Sequence, residues 1–190
     1  MSFAIVRADA IAPQPWRNGA GQTRELLAWP DAANWQLRIS RADIGADGPF
    51  SAFPGVSRWF AVLSGAGVAL AFADGERLVR IDDAPLRFDG ASAPGCRLLD
   101  GPTQDLNLMA RAGSALMRQV EAATPWQSDW PIRAIYTTVA GNWRAGDGQS
   151  NLPADSLLWM PAAAAAAWMF TPHVPGVDCH AWWMAFDPGA

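Results

Sequence analysis

The 190-residue chain contains no lysine, and all 14 of its basic residues are arginine. That absence excludes a Schiff-base lysine, the lysine of a phosphate-binding P-loop and a lysine general base. Histidine and cysteine are nearly as scarce, with two of each, so at most one disulfide can form. A disulfide-stapled secreted scaffold is therefore excluded as well.

Charge of either sign is also scarce, since charged residues make up only 17% of the chain and the net charge is −4. The sequence has no basic run, which argues against a nucleic-acid-binding surface. Arg7 and Asp9 interrupt the N-terminal apolar run, which is too short for a signal peptide. We therefore expect a cytoplasmic protein.

Long apolar segments are missing except for residues 156–177, which carry no formal charge when His173 is neutral. Pro161 and Pro172 divide this segment. The residues between the two prolines would span about 15 Å as a helix, half of a bilayer core of about 30 Å. We therefore expect no membrane span.

What the sequence does contain is strand-like alternation punctuated by frequent turns. In residues 35–40, Trp35, Leu37 and Ile39 alternate with polar residues, and residues 105–109 alternate in the same way. Residues 68–72 and 77–81 flank an Asp-Gly pair at 74–75, which is a strong hairpin signal. Many short strands with little helix predict an all-β barrel or sandwich.

The two halves of the chain resemble each other. Residues 133–141 are similar to residues 58–65, and a glycine-punctuated hairpin region follows each segment. Duplication and the general likeness of any two β meanders both explain this similarity. We predict two barrel units, residues 1–115 and 116–190.

The scarcity of histidine bears directly on metal chemistry. His173 and His180 are seven residues apart, an odd separation that places them on opposite faces of a strand, and Asp178 and Cys179 between them are too local to complete a metal site. We predict no metal. No G-x-S-x-G motif exists, and Cys96 and Cys179 are most simply interpreted as small buried hydrophobic residues.

The glycine-rich segment 16–23 lacks the features of a nucleotide P-loop. One interpretation is a turn whose glycines need a positive φ. The other is a loop whose backbone N–H groups and Asn18 side chain approach a ligand.

Alternation also groups polar side chains. Arg38 and Ser40 share one strand face, while Asp105, Asn107 and Arg111 share another. Such a face is typically a solvated outer surface. The alternative is an inward face that lines a pocket, where arginine binds a carboxylate through two hydrogen bonds.

A second group of residues extends the pocket hypothesis. Arg58 would add another cation beside an aromatic-rich turn. Phe50 and Phe53 would form either a hydrophobic plug over one barrel end or the apolar wall of a pocket.

Four segments resemble one known family in sequence and order. Residues 16–26 (WRNGAGQTREL) resemble its W-[KR]-N-G-G-G-x-T-x-E-[LI] opening, and residues 37–42 (LRISRA) its W-R-[IV]-S-x-A strand. Residues 48–58 are similar to its G-P-F-S-x-F-P-G-x-x-R loop, and residues 105–111 to its D-x-N-x-M-x-R strand. The family is that of the cupin-like HutD/Ves proteins, and the resemblance covers roughly residues 10–113. The chain departs from the pattern at Ala20, Leu37 and Ala112.

The resemblance implies an all-β, cupin-like double-stranded β-helix of the RmlC-like jelly-roll type, arranged as a bicupin. It implies no metal, because the family lacks the histidine ligands of metal-binding cupins, and it implies no cofactor. The residues that it and the alternation assign to a ligand site are Asn18, Thr23, Arg38, Ser40, Phe50, Phe53, Arg58, Asp105, Asn107 and Arg111.

The function that the resemblance implies is non-enzymatic binding of a small carboxylate, such as urocanate or a formyl- or formimino-glutamate, by a governor of histidine utilisation. One alternative is a metal-independent cupin isomerase or hydrolase with Glu25 or Asp105 as general base. The other is a stress-associated protein with a vestigial pocket. The expected partners are the small carboxylate and a second copy of the chain in a homodimer, with no nucleic acid and no membrane.

Overall fold

The computed structural model describes residues 2–111, 113–161, 166–176 and 179–189. The regular secondary structure of this part of the chain consists of β-strands and two three-residue 3₁₀ segments, Ala8–Ala10 and Gly90–Ser92. The strands are β1 (Ala4–Arg7), β2 (Gln14–Pro15), β3 (Gly21–Trp29), β4 (Leu37–Ile44), β5 (Gly48–Pro49), β6 (Ser57–Ser64), β7 (Val68–Phe72), β8 (Gly75–Val79), β9 (Leu86–Asp89), β10 (Gly95–Leu98), β11 (Thr103–Ala110), β12 (Ser114–Gln119), β13 (Ile132–Thr137), β14 (Gly141–Ala145), β15 (Gly148–Leu152), β16 (Ser156–Met160), β17 (Trp168–Pro172) and β18 (Ala181–Asp187). The all-β, cupin-like fold class predicted from the sequence is confirmed.

The chain divides into two compact units. The motif unit is Ile11–Gly113, which carries the four family-like segments. The second unit combines Met1–Ala10 with Ser114–Ala190.

The motif unit consists of two antiparallel sheets. One has six strands in the order β2-β3-β4-β11-β6-β9, and the other has four in the order β5-β10-β7-β8. Phe60 of the six-stranded sheet packs in one apolar cluster with Leu70 and Cys96 of the four-stranded sheet. The two sheets therefore face each other across a shared core, which buries one face of each.

The second unit also has two sheets, of five strands (β1-β16-β13-β18-β12) and three strands (β15-β14-β17). Its core is rich in tryptophan. The Trp126 and Trp183 rings stack with centroids 5.1 Å apart, and Trp168 meets Trp183 edge-on.

The N-terminal strand belongs to this second unit. The sequence-based division assigned residues 1–10 to the first barrel, whereas β1 pairs antiparallel with β16 over Ala4↔Trp159 to Arg7↔Ser156. The boundary between the units otherwise falls at residues 113/114, close to the predicted 115/116.

Local patterns located the strands with small shifts. The strand predicted at 68–72 is β7, and its hairpin with β8 closes Phe72 onto Gly75. The turn therefore occupies residues 73–74, and Gly75 opens β8 with a φ of 138°. The alternating segment at 35–40 becomes β4, which begins at Leu37 and continues to Ile44.

Among the described residues, no helix is both long enough and apolar enough to cross a membrane.

Candidate functional site

A cavity of about 490 Å³ opens in the motif unit. It is lined by Gln14, Pro15, Trp16, Arg17, Asn18, Thr23, Arg38, Ser40, Pro49, Phe50, Ser51, Phe53, Arg58, Asp105, Asn107 and Met109. Nine of the ten residues predicted to bind a ligand are in this set, and Arg111 is the exception.

The strand register brings the polar side chains together. Asn107 of β11 lies opposite Ser40 of β4 and Phe60 of β6. Met109, two residues further along β11, lies opposite both Arg38 and Arg58. Directly opposed residues point to the same side of a sheet, so these side chains share one face.

That face is the inward one, because Phe60 lies on it and packs against the four-stranded sheet. Arg58 is 4% exposed, Asp105 1% and Asn107 6%. The solvated outer surface that alternation typically indicates is therefore wrong for these strands, and the pocket-lining alternative holds.

Three buried side chains form a hydrogen-bonded chain at the inner end of the cavity. Arg58 Nη2 donates to Asn107 Oδ1 at 2.9 Å, and Asn107 Nδ2 donates to Asp105 Oδ1. Arg58 Nε and Asp105 Oδ2 are buried with no hydrogen-bond partner among the described residues. The arrangement therefore leaves one donor and one carboxyl oxygen unused.

Aromatic rings surround the Arg58 guanidinium. Its central carbon lies 5.1 Å from the Phe50 ring centroid, 5.7 Å from that of Phe53 and 5.1 Å from that of Phe88. Ring faces attract a cation, which partly offsets its loss of water. Burial lowers the pKa of Arg58 to about 10, so the group stays charged at neutral pH.

Asp105, in contrast to Arg58, favours its uncharged form. Burial raises its pKa to about 8, against the lowering effects of Arg58 and the Asn107 hydrogen bond. Removal from water disfavours the charged form of a carboxyl group, and Arg58 reaches this one only through Asn107. Asp105 therefore holds a proton at neutral pH, which suits a hydrogen-bond donor better than the general base proposed from the sequence.

The second candidate base, Glu25, is engaged by Arg38. Arg38 Nε lies 2.6 Å from Glu25 Oε2, and both side chains are largely buried, at 19% and 26% exposure. The glutamate holds the guanidinium in place at the cavity wall, and the two opposite charges compensate each other. Neither carboxyl group thus has the geometry of a free base.

The glycine-rich loop supplies the outer wall. Trp16 Nε1 donates to Thr23 Oγ1 at 2.7 Å, and Asn18 Oδ1 accepts from the Ala20 backbone N–H at 3.1 Å. Gly19 has a φ of +73°, so the turn interpretation is correct for that residue, while the Asn18 side chain also lines the cavity.

Arg111 lies away from the cavity, which corrects its predicted place in the site. Strand β11 ends at Ala110, so the alternation that would have aligned Arg111 with Asn107 stops one residue earlier. The Arg111 guanidinium instead lies 4.5 Å from the Trp35 ring centroid and borders a separate cavity of about 570 Å³. Ala112, where the family pattern often has a second arginine, lies outside the described residues.

Seven lining residues escaped the sequence prediction: Gln14, Pro15, Trp16, Arg17, Pro49, Ser51 and Met109. Trp16 and Arg17 belong to the quoted W-[KR]-N-G segment, and Met109 alternates with Asp105 and Asn107, so both signals were available. Gln14 and Pro15 carry no signal, because only the pairing of β2 with β3 brings them there.

The described residues contain no group of three or more metal-ligating side chains. His173 Nε2 lies 3.3 Å from Asn142 Oδ1. Asp178, which lies between the two histidines in the sequence, is outside the described residues. Both cysteines are free thiols, and burial raises the pKa of Cys96 to about 12.

Known proteins match the chain along most of its length. A family model described as HutD matches residues 8–172. The protein Ves of Citrobacter koseri is 32% identical over 134 residues, 70% of each chain. The structure of HutD from Pseudomonas fluorescens SBW25 is 24% identical, with a TM-score of 0.86 and full coverage of both chains.

More distant structures share the fold alone. The oxalate decarboxylase of Lactobacillus farciminis is 10% identical, with a TM-score of 0.66 over 100% of this chain and 87% of its own.

Proposed function

The chain belongs to the HutD family, and on that premise we propose that it is a non-enzymatic protein that binds a small carboxylate and governs histidine utilisation. The bound metabolite would be of the urocanate, formyl-glutamate or formimino-glutamate kind. The family supplies the physiological context of this proposal, and the cavity supplies its chemistry.

The observation that carries the proposal is the charge of the cavity. Three arginines line it, Arg17, Arg38 and Arg58, whereas the one lining carboxyl group, Asp105, is protonated at neutral pH, and Glu25 compensates only Arg38. A guanidinium offers paired N–H groups that match a carboxylate, and burial strengthens the attraction. Apolar walls from Phe50 and Phe53 would hold a short carbon skeleton.

Ligand binding can be measured by thermal denaturation. A ligand that binds only the folded state at 100 times its Kd adds about 2.7 kcal/mol to the free energy of unfolding. For a chain of this size we expect Tm to rise by roughly 5–11 °C with urocanate or N-formyl-glutamate at that concentration. No shift with any small carboxylate at millimolar concentration would support the vestigial-pocket alternative instead.

Arg38→Met tests which group anchors the carboxylate. Methionine keeps much of the stem and removes the charge, so the variant should fold and lose most of the ligand-induced rise in Tm. Arg111→Met is the matched control, because it removes the same charge from outside the cavity, and it should keep the full rise. Equal ligand-induced shifts in both variants would show that Arg38 is not the anchor.

Incubating the protein with the same compounds and analysing them for product separates binding from catalysis. We expect recovery of the compound unchanged. Formation of product would favour the isomerase or hydrolase alternative.

A gene lying beside histidine-degradation genes would support the governor role over the stress-associated one.

Several expectations stay part of this proposal. We propose that both units are cupin barrels and that the protein works in the cytoplasm, as a homodimer, without metal or cofactor. Elemental analysis of untagged protein tests the metal expectation, and one equivalent of zinc, iron or manganese would overturn it.

A further inference from the structure

The inner end of the cavity holds two buried polar atoms that nothing in the described chain satisfies, Arg58 Nε and Asp105 Oδ2. Buried polar groups in native proteins are almost always hydrogen-bonded, because an unpaired one has lost its hydration without compensation. Both residues line the same cavity and are more than nine-tenths buried. Their unused hydrogen-bonding positions therefore indicate which polar groups a bound ligand should carry.

The hydrogen-bond chain fixes which oxygen of Asp105 can carry a proton. Asn107 Oδ1 accepts from Arg58, so the amide must direct its N–H group at Asp105 Oδ1. An oxygen that accepts this hydrogen bond is the worse position for the carboxyl proton. The proton accordingly belongs on Oδ2, the oxygen without a partner.

The charges around Asp105 come from several elements. Arg58 on β6 and Arg41 on β4 favour its ionised form, whereas Asp43 on β4 and the loss of water oppose it. The remaining groups nearby are the Arg38–Glu25 ion pair and the Cys96 thiol, which is uncharged at neutral pH. Asn107 stands between the Asp105 carboxyl and the Arg58 guanidinium and is hydrogen-bonded to both.

We infer that Asp105, in its carboxylic-acid form, recognises the ligand by donating its Oδ2–H to an acceptor atom on the ligand. The inference rests on the proposed function and narrows its ligand class. The ligand would be a small carboxylate bound by arginine that carries a second hydrogen-bond acceptor, such as a carbonyl oxygen, some atoms away. Once Asp105 ionises, the donor is lost and a negative charge faces the ligand.

Two isosteric probes test this inference without any substitution. The probes are 4-oxopentanoate and pentanoate, which differ by one carbonyl oxygen and share a carboxylate. Titration calorimetry at pH 6.5 should give about two- to tenfold tighter binding of 4-oxopentanoate, the range of one net hydrogen bond. Above pH 8 both affinities should fall, that of 4-oxopentanoate more steeply, so the preference for 4-oxopentanoate should diminish.

The variant Asp105→Asn keeps a hydrogen-bond donor at this position and removes the group that titrates. Its amide can still accept from Asn107 and still offer an N–H group, but it cannot ionise. The preference between the two probes should therefore become independent of pH. Asp47→Asn is the matched control, because Asp47 accepts a hydrogen bond from the Leu98 backbone and does not line the cavity. It should keep the pH dependence of the parent.

The outcomes distinguish the inference from the proposed function. If neither probe nor any other small carboxylate binds the parent at any pH, the proposed function fails, and the inference with it. If both probes bind with affinities that do not change between pH 6.5 and 9.5, or that improve with pH, carboxylate binding stands and the protonated Asp105 is wrong. Should Asp105→Asn not fold, carbon NMR of the aspartate carboxyl groups in the parent decides the same question, since an Asp105 signal that titrates near pH 4 overturns the inference.

Discussion

Asp105 shows at the scale of one residue how a buried carboxyl group links stability to pH. Its pKa is raised from 3.8 to about 8 by burial. Between these values the folded chain holds a proton that the unfolded chain has released. The contribution is fully present below about pH 4, and it is lost progressively as the pH rises to about 8.

Ionisation of Asp105 within that window makes the stability of the parent depend on pH. The free energy of unfolding of the parent should fall, relative to that of Asp105→Asn, as the pH rises from 5 to 8. Only the parent has a carboxyl group that must take up a proton on folding, and this becomes less favourable as the pH rises. Urea unfolding at several pH values measures the difference. Parallel stability curves for the two proteins would show that Asp105 does not titrate in this range.

Gly21 is a second residue whose identity the fold restricts, here by space. A Cβ built at this position would lie 2.4 Å from the Asp43 carbonyl oxygen and 3.2 Å from the Trp16 ring. We expect Gly21→Ala to destabilise the protein by about 1–3 kcal/mol, the usual cost of overpacking. Gly45→Ala is the control, because its Cβ would meet nothing nearer than 3.8 Å. Equal denaturation midpoints for the two variants would contradict the steric argument.

At the scale of the strand, alternation predicted which residues share a face and left open where that face points. The pairs Arg38/Ser40 and Asp105/Asn107 do lie together, because a strand has a side-chain period of two wherever it sits. Whether the face meets water or core depends on the four-stranded sheet opposite. That sheet is built from other strands, β5, β10, β7 and β8, so no pattern within β4 contains the information.

Two strand-level predictions failed for related reasons. The position of Arg111 was extrapolated from β11 past Ala110, where the strand ends and the Arg111 backbone N–H instead bonds Gln36 O at 2.8 Å. The predicted division places residues 1–10 in the first unit by their position in the sequence, whereas β1 pairs with β16, about 150 residues away. Strand ends and long-range partners are set by tertiary pairing, which local propensity does not encode.

The family motifs, in contrast, predicted most of the cavity. Asn18, Thr23, Phe50 and Phe53 come from loops and strands that alternation alone could not have grouped, and they line one cavity with Arg58. The resemblance predicts these cavity-lining positions because similar sequences share the tertiary arrangement of the whole fold. It gave no account of Gln14 and Pro15, which lie outside the matched segments.

At the scale of the whole molecule, the division into two units gives the N-terminal residues a role in the second one. Strand β1 pairs with β16 alone, the Ala8 backbone N–H donates to Asp155 O at 2.9 Å, and the Ala8 side chain is fully buried. Without β1, β16 becomes an edge strand with an unpaired row of backbone groups.

Deletion of residues 2–10 tests this division. We expect the amides of β16 to lose protection from hydrogen exchange, because local stability follows local pairing. Strand β11 lies in the interior of the motif unit's six-stranded sheet, paired with β4 and β6, and should exchange as slowly as in the parent. Exchange measured by mass spectrometry on peptides covering β16 and β11 compares the two strands in one sample. Loss of protection in β11 equal to that in β16 would mean that the two units unfold together and that residues 1–10 stabilise both. An unchanged β16 would mean that β1 contributes no stability to the sheet it completes.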